Sequence, residues 1–428
     1  MKAYKLFNKL FTLKNIEKTY EDKIAKSATI GADKINKRSF EKNKQIYFEI
    51  INRKVFNESY KFTRYKKRLI SKGENKTPRV ICIPTIRDKI TLNILNQIFN
   101  EIYNGNNISP LPHTIIDSLY KSVKSGIYDY YIKIDIKKFY SSIDQQILIR
   151  DLKRKMRKRE LINLIKMSIA NNDLTGIPEG LSISNSLGNI YLLELDRYYA
   201  NRDEIEYFRY VDDIIILCQQ ENSSNEKDNI IQMLKEKKLS VNEKFDEGRL
   251  NEKEFNYLGY CFKKDKLSIR RSSVNKLESS IEQLFLNYVT SKEANIELLK
   301  WKLNLRITGC KKDSKKYGWL LYFSQTDDIT IISHLDWYVD KMKKRFNLSE
   351  KIVFKKFKKT YYEIKYNLNN TNYIINLDNI SYEEKKDILT KIYSQDIDNL
   401  KKTEVNNLFY KIITKELSSL ESDIQPIS

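Results

Sequence analysis

Three aspartates stand where carboxylates are costly. Asp135 ends the run Tyr130-Tyr131-Ile132-Lys133-Ile134-Asp135-Ile136. Asp212 and Asp213 lie inside Phe208-Arg209-Tyr210-Val211-Asp212-Asp213-Ile214-Ile215-Ile216-Leu217. Both runs are rich in β-branched and aromatic residues and read as buried strands. A carboxylate taken out of water needs compensation, and a metal ion is the usual partner. In a hairpin, Asp212 and Asp213 would sit at the turn between Tyr207–Tyr210 and Ile214–Leu217 and project into a cleft. Three carboxylates on adjacent strand ends could then hold two Mg²⁺ ions, which activate a hydroxyl for phosphoryl transfer and neutralise leaving pyrophosphate. An Asp-Asp pair alone is a common turn sequence, so its meaning depends on the rest of the chain.

With 428 residues, 41% of them hydrophobic, the chain can fill two or three compact units. Its 78 Lys and Arg outnumber 56 Asp and Glu, giving a formal net charge of +22. A polyanion, nucleic acid first, is the expected partner. Cys82, Cys218, Cys261 and Cys310 form no CxxC pair, which argues against a zinc ribbon and for reduced, packed thiols in the cytoplasm. Two histidines, His113 and His334, cannot complete an HNH-type nuclease motif. The start MKAYKLFNKLFTLK is broken by Lys5, Lys9 and Lys14 and has no signal-peptide core, and no apolar run is long enough to span a membrane. No membrane contact is expected.

The elements that must position the three acids follow in order. Residues 1–30 read as an amphipathic helix with Leu6, Phe7, Leu10, Phe11 and Leu13 as its stripe. Residues 31–60 read as a further helix using Ile46, Phe48, Ile50 and Ile51. Residues 53–89 hold 12 Lys/Arg against 3 Asp/Glu, interleaved with Tyr60, Phe62 and Tyr65. That mixture suits a phosphate-tracking groove better than a plain solvated surface. Arg79–Pro84 reads as a strand, and Arg87-Asp88-Lys89 opens a helix. Two helices follow Asp135, split by the basic run 153–159. Gly176-Ile177-Pro178-Glu179-Gly180 is a turn, with Ser182 or Ser184 as the cap of the next helix. A helix near 224–238, a strand near 239–245 and a hairpin at 255–270 complete an α+β unit with an antiparallel sheet. Residues 272–346 read as helical, and Ser381-Tyr382-Glu383-Glu384 has the form of a capping box.

In this order the chain resembles the reverse transcriptases of bacteria, over about residues 30–345. Arg79–Pro84 with Arg87-Asp88-Lys89 is similar to the fingers motif. Asp135-Ile136-Lys137-Lys138-Phe139-Tyr140-Ser141-Ser142-Ile143 is similar to palm motif A. Gly176–Gly180 with Ser182 to Leu192 is similar to motif B, and Tyr210-Val211-Asp212-Asp213 to motif C. Asn242-Glu243-Lys244 resembles motif D, and Tyr257-Leu258-Gly259-Tyr260 the primer grip. Tyr317-Gly318-Trp319 onward resembles the thumb helices. The resemblance implies a right-hand polymerase: an N-terminal helical extension (1–30), fingers and palm (31–270), a helical thumb (271–350) and a mostly helical C-terminal extension (351–428).

It also implies roles. Asp135 and Asp212 ligate both metals with Asp213 assisting, and Ile136 joins the metal and nucleotide sets. The ions are Mg²⁺, with Mn²⁺ as the alternative. Arg79 holds the incoming triphosphate, and Lys244 gives a proton to pyrophosphate. Tyr140 bars a 2′-hydroxyl, which favours deoxynucleotides. Glu179, in the nucleotide set, stands where the family commonly has Gln, and Asn185 where many members have Pro. A carboxylate cannot donate as an amide does and repels phosphate, so ordinary template handling does not carry over. The implied partners are an RNA template, its DNA product and deoxynucleoside triphosphates, with a second copy or a companion defence protein as further candidates.

The thumb sequence Ile307-Thr308-Gly309-Cys310, Tyr317–Phe323 and Leu335-Asp336 looks most like the defence-associated (unknown-group and abortive-infection) enzymes, acting on a dedicated non-coding RNA against phage. Retron-type enzymes, which make RNA-linked DNA, come next. Template-independent or protein-primed synthesis stays open because of Glu179. A catalytically silent RNA-binding protein on the same fold is the non-enzyme alternative.

Overall fold

The computed structural model describes residues 3–25, 29–71, 78–170, 175–242, 245–291 and 293–424. The chain divides into two compact units, residues 1–115 with 125–250, and residues 116–124 with 251–428. Chain contacts thus group the N-terminal helices with the aspartate-bearing sheet, and 251–270 with the helices that follow. Helices and antiparallel sheets share each unit, the expected α+β make-up.

The first unit opens with helices Ala3–Leu10 and Leu13–Lys23 rather than one continuous helix. The break falls at Phe11-Thr12, where the Thr12 hydroxyl donates to the Lys9 carbonyl at 3.0 Å. Leu6, Phe7 and Phe11 are buried, but the break turns Leu13 out to solvent. Helices Lys37–Lys42 and Lys44–Phe56 follow; Phe48 and Ile51 face the core, whereas Ile46 is exposed.

Strands β1 (Lys66–Ile70) and β2 (Arg79–Ile83) pair antiparallel. Thr85 caps the next helix, Ile86–Tyr103, by accepting from the Asp88 N–H. Tyr60, Phe62 and Tyr65 are buried, which corrects the expected groove. The basic residues around them are surface, but the three rings are core and unavailable to bases. The Tyr65 hydroxyl donates to the Ser168 carbonyl at 2.9 Å, and Tyr60 is held by Asp88, a fully buried carboxylate that must be satisfied from inside. It accepts from the Tyr60 hydroxyl at 2.8 Å and the Thr63 N–H at 2.9 Å, and Arg87 lies at 3.3 Å.

Strands β3 (Tyr130–Asp135), β4 (Glu206–Tyr210), β5 (Asp213–Cys218) and β6 (Asp246–Arg249) form one antiparallel sheet in the order β4-β5-β3-β6. Ile214 to Cys218 are buried without alternation, the mark of a central strand covered on both faces. The strand expected near 239–245 is displaced. Only Val241 bridges, to Ile136, and pairing with β3 resumes at Asp246. Residues 240–242 spend their peptide groups on Asp135 and Lys137, at and just past the end of β3. Helices Gln145–Lys155 and Arg159–Ile169 flank the basic run, as expected. Neither expected serine caps helix Ser184–Ala200: the Ser184 hydroxyl donates to the Pro178 carbonyl at 2.6 Å, tying the turn to the helix.

The second unit holds a three-stranded meander, β7 (Phe255–Tyr257), β8 (Tyr260–Lys263) and β9 (Lys266–Ile269). Long helices Arg271–Thr290, Ile296–Thr308, Ile329–Arg345 and Lys402–Ile424 follow. The segment expected to be all helical also contains a hairpin, β10 (Cys310–Lys312) with β11 (Lys315–Tyr317), which β12 (Ile375–Asn376) extends in parallel. Residues 351–424 therefore share a sheet and a core with the helices before them; Phe409 and Ile413 cluster with Leu305 and Cys310. The capping box at Ser381 and Glu384 is formed. All four cysteines are free and buried, and no helix among the described residues is long and apolar enough to cross a membrane.

Replacing Asp88 by Ala strands the Tyr60 hydroxyl and the Thr63 N–H without an acceptor. The expected cost is about 3 kcal/mol, read as a lower urea midpoint with unchanged slope; a loss below about 1 kcal/mol would show that the carboxylate is not needed.

Candidate active site

The sheet register brings the acids to one edge. Asp135 and Asp213 are the last partners of β3 and β5, so their side chains leave the same face of the sheet. Tyr210 pairs with Asp213, which leaves Val211 and Asp212 as a two-residue turn. Val211 has φ +59°, a backbone state that a β-branched residue rarely adopts. The turn is held from two sides. Arg209 Nη1 donates to the Val211 carbonyl at 2.8 Å, and the Ile136 N–H donates to the Asp212 carbonyl at 3.3 Å. Arg209 is itself locked by Asp196, with Nε–Oδ1 at 2.7 Å and Nη2–Oδ2 at 2.5 Å, and reaches Asn189 Oδ1 at 3.1 Å. Sequence reading missed this support. Its only signal is an Arg alternating outward from apolar neighbours in a strand beside the acids.

The chain after the palm helix closes the other side. The Asn242 N–H donates to the Asp135 carbonyl at 3.1 Å and its amide to Asp135 Oδ2 at 2.5 Å, while the Lys137 N–H donates to the Ser240 carbonyl at 2.8 Å. Asn242 thus orients a candidate ligand. Glu243 and Lys244, the latter expected as proton donor, lie outside the described residues. Lys133, two residues before Asp135 and on the same face, brings its ammonium to 3.9 Å from Asp213. Ile136 has a buried side chain and a committed N–H, so only its carbonyl can serve a ligand.

Asp212 is pushed up to about 6 from the ordinary 3.8. Burial is the main cause; the charges of Asp135 and Asp213 add to it, and a backbone N–H and Arg79 oppose it. Crowded, partly desolvated carboxylates with incomplete compensation fit a divalent cation as the missing charge. They are not drawn into a closed cage. Among the described residues, no three His, Cys, Asp or Glu side chains converge on one point. The Asn242 amide takes the Asp135 carboxylate and Lys133 attracts that of Asp213, so cation binding requires these side chains to swing inward.

The nucleotide-set residues meet across the same unit. Arg79 points both Nε and Nη2 at one carboxylate oxygen of Glu179. The Glu179 carbonyl accepts from the Cys82 N–H at 2.7 Å, which lays the 176–180 turn along β2. Gly180, at φ +93°, permits this approach: a Cβ there would stand 2.5 Å from Ile81 Cγ2. The Tyr140 carbonyl accepts from the Ile177 N–H at 2.8 Å. Gly188 on the following helix leaves room for the rings of Phe139 and Tyr140; a Cβ would stand 2.8 Å from the Phe139 ring. The Tyr140 phenol is pushed up to about 12, first by burial and then by Asp212 and Glu179, with Arg79 opposing. Arg79, Glu179, Tyr140 and Asp212 therefore share one electrostatic field. Asn185 sits at the start of the same helix, its amide 3.4 Å from the Ser109 hydroxyl.

The raised Asp212 pKa has a sign that can be tested. The folded value lies above the unfolded one, so ionisation in the fold carries a penalty that is full above about pH 6 and gone below the ordinary carboxylate range. Without divalent cations, Asp212→Asn should raise Tm by about 2–4 °C at pH 8 and leave it unchanged at pH 3.5. Millimolar Mg²⁺ should raise the wild-type Tm and not that of the variant. Equal shifts at both pH values would contradict the electrostatic origin.

A family model described as reverse transcriptase (RNA-dependent DNA polymerase) matches residues 66–262, the stretch that contains every site residue above. An uncharacterized 91 kDa protein in the cob intron of Schizosaccharomyces pombe is 29% identical over 169 residues, 35% of this chain and 20% of that protein. A putative COX1/OXI3 intron 2 protein of Saccharomyces cerevisiae is 24% identical over 178 residues, 38% of this chain and 21% of that protein. The chain spans about a fifth of the length of these curated relatives. These two matches lend nothing to a bacterial defence setting. Among solved structures, telomerase from Candida albicans with a TWJ fragment of telomeric RNA matches at 12% identity and TM-score 0.43, covering 90% of this chain and 67% of that one. Apo telomerase from Candida tropicalis matches at 12% identity and TM-score 0.43, covering 85% and 64%. Over residues 66–262 the chain is similar to reverse transcriptases (RNA-dependent DNA polymerases).

Proposed function

We propose that this chain extends a primer with deoxynucleotides on an RNA template. The observation that carries the reading is the β3–β5 register, which sets Asp135 beside Asp213 with Asp212 in the adjoining turn. Asp135 and Asp212 are the ligands proposed for two divalent ions, Mg²⁺ or Mn²⁺, with Asp213 and the Ile136 carbonyl assisting. Bound there, the ions would acidify the primer 3′-hydroxyl and neutralise charge on the pyrophosphate. The 3′-oxygen forms the new bond to the α-phosphorus as the bond to pyrophosphate breaks. Arg79 binds the triphosphate, and Tyr140 stands against a 2′-hydroxyl. Lys244 is the proposed proton donor to the leaving group.

Primer extension on an RNA template with Mg²⁺ tests this. Wild type should extend with deoxynucleotides and not with ribonucleotides, and Asp212→Asn should lose at least about 10³-fold. A wild type that fails to extend would favour a silent RNA-binding protein, and a variant that extends like wild type would remove Asp212 from the chemistry.

The biological setting is a finer proposal. Antiphage synthesis in the cytoplasm on a dedicated non-coding RNA, alone or with a companion protein, is supported by the resemblance of the 307–336 segment. The relatives encoded in yeast introns favour a second reading, in which the template is an intron RNA. Sequencing DNA co-purified with wild type, and finding its RNA complement, separates the two; DNA without any RNA complement would favour untemplated or protein-primed synthesis.

Glu179 occupies the guanidinium that the triphosphate needs. The two anions therefore compete. Glu179→Gln should lower the KM for deoxynucleotides about two- to fivefold with kcat little changed, since a neutral amide no longer claims the charge of Arg79. Added to Arg79→Ala, the same change should do nothing further. A raised KM in Glu179→Gln alone would contradict the competition.

A further inference from the structure

Helix Phe357–Tyr366 buries Phe357, Thr360, Tyr361 and Ile364, a regular i, i+3, i+4, i+7 stripe. It is firmly placed. The Tyr361 hydroxyl donates to the Thr326 carbonyl at 2.8 Å. The Asp336 carboxylate accepts from the backbone N–H groups of Phe357 at 2.6 Å and Lys358 at 3.1 Å. The opposite face should then be polar, and it is not. Tyr362 and Tyr366, one turn apart, are 43% and 73% exposed. Their rings stack, with centroids 6.2 Å and planes 15° apart. They line an open concavity of about 640 Å³ together with Lys358 and Lys359.

Charge favours one kind of occupant. Residues 351–366 contain six lysines and a single acid, Glu363. The acids at the concavity are committed, Asp336 to the helix N-terminus and Glu363 to the Asn367 amide at 2.9 Å, and Lys356 on its rim pairs with Asp340 at 2.8 Å. Lys358 and Lys359 make no ion pair among the described residues; the Lys359 ammonium lies 4.6 Å from the Tyr373 ring centre. Buried tyrosines elsewhere in the chain explain themselves by packing, but two rings stacked in solvent beside ammonium groups that make no ion pair do not.

We propose that this face is a binding site for single-stranded nucleic acid. Bases stack on Tyr362 and Tyr366, and the phosphates between them follow Lys358 and Lys359. Stacking needs open base faces, so a duplex is excluded from this mode. The site requires neither metal nor catalysis and stands apart from the polymerase reading.

The test uses the full chain and short single-stranded RNA and DNA oligonucleotides. Photo-crosslinking with thiouridine-bearing RNA should label a peptide within residues 355–367. Tyr362→Ala with Tyr366→Ala should abolish that label and weaken binding about tenfold, whereas Tyr362→Phe with Tyr366→Phe should keep both. Lys358→Gln with Lys359→Gln should flatten the log–log salt dependence by about 1.4. Labels confined to other peptides, a double Ala variant that binds like wild type, or a duplex that competes as well as a single strand would each overturn the proposal. So would a wild-type dimer in sedimentation that the double Ala variant dissolves, because the rings would then belong to a protein interface.

Discussion

The turn Val211-Asp212 is the constraint on which the site depends. A β-branched residue held at φ +59° costs roughly 1–2 kcal/mol. The surrounding structure over-determines it. Arg209 takes the Val211 carbonyl from one side, and the Ile136 N–H takes the Asp212 carbonyl from the other. Strands β4 and β5 are fixed in register on either side, and β5 is buried from Ile214 to Cys218. A slip of one residue would turn every one of those side chains to the wrong face, and it would carry Asp213 away from Asp135. Tight fixation of the turn is what makes two carboxylates at its tip a defined site rather than a flexible acidic loop.

That fixation creates an electrostatic problem that the chain solves only in part. Raising Asp212 from 3.8 to about 6 amounts to about 3 kcal/mol of unfavourable environment for the ionised form. Lys133 and the Asn242 amide relieve Asp213 and Asp135 from the flanks, and Arg79 relieves Asp212 from a distance. Each is a weak, exchangeable partner. Together they hold the carboxylates in place without satisfying them, the condition under which a divalent ion binds more favourably than any of the interactions it displaces.

The hairpin, the strand ending at Asp135 and the 176–180 turn were legible because each is written locally, in β-branched runs and glycine-bounded turns. Features set by tertiary partners were not. Tyr60, Phe62 and Tyr65 interleave with lysines as a stacking groove would, yet distant partners, Asp88 for Tyr60 and the Ser168 carbonyl for Tyr65, hold them inward. Arg209 and Asp196 lie 13 residues apart with nothing in either sequence context to join them. The strand expected near 239–245 fails because residues 240–242 pair with Asp135–Lys137 at and just past the end of β3 rather than along its length. The stacked pair Tyr362–Tyr366 was equally hidden, since its exposure depends on which helix face Asp336 and Thr326 anchor.

Two arginine–carboxylate pairs of the same chemistry serve opposite ends here, and burial decides which. The Arg209 side chain is almost wholly enclosed, so separating it from Asp196 would leave a desolvated charge and cost several kcal/mol. That pair belongs to the scaffold and cannot double as a switch. The Arg79 side chain is half exposed, where an ion pair contributes about 0–1 kcal/mol because water replaces either partner cheaply. Glu179 can therefore hold Arg79 in place when no nucleotide is bound, yet yield it to a triphosphate with several negative oxygens. A glutamine at position 179 would neither reserve the guanidinium nor repel the phosphate. On the proposed role of Arg79, the carboxylate would make nucleotide entry an exchange of anions rather than a simple addition, and the exposure of Arg79 would keep that exchange within reach of ordinary binding energy.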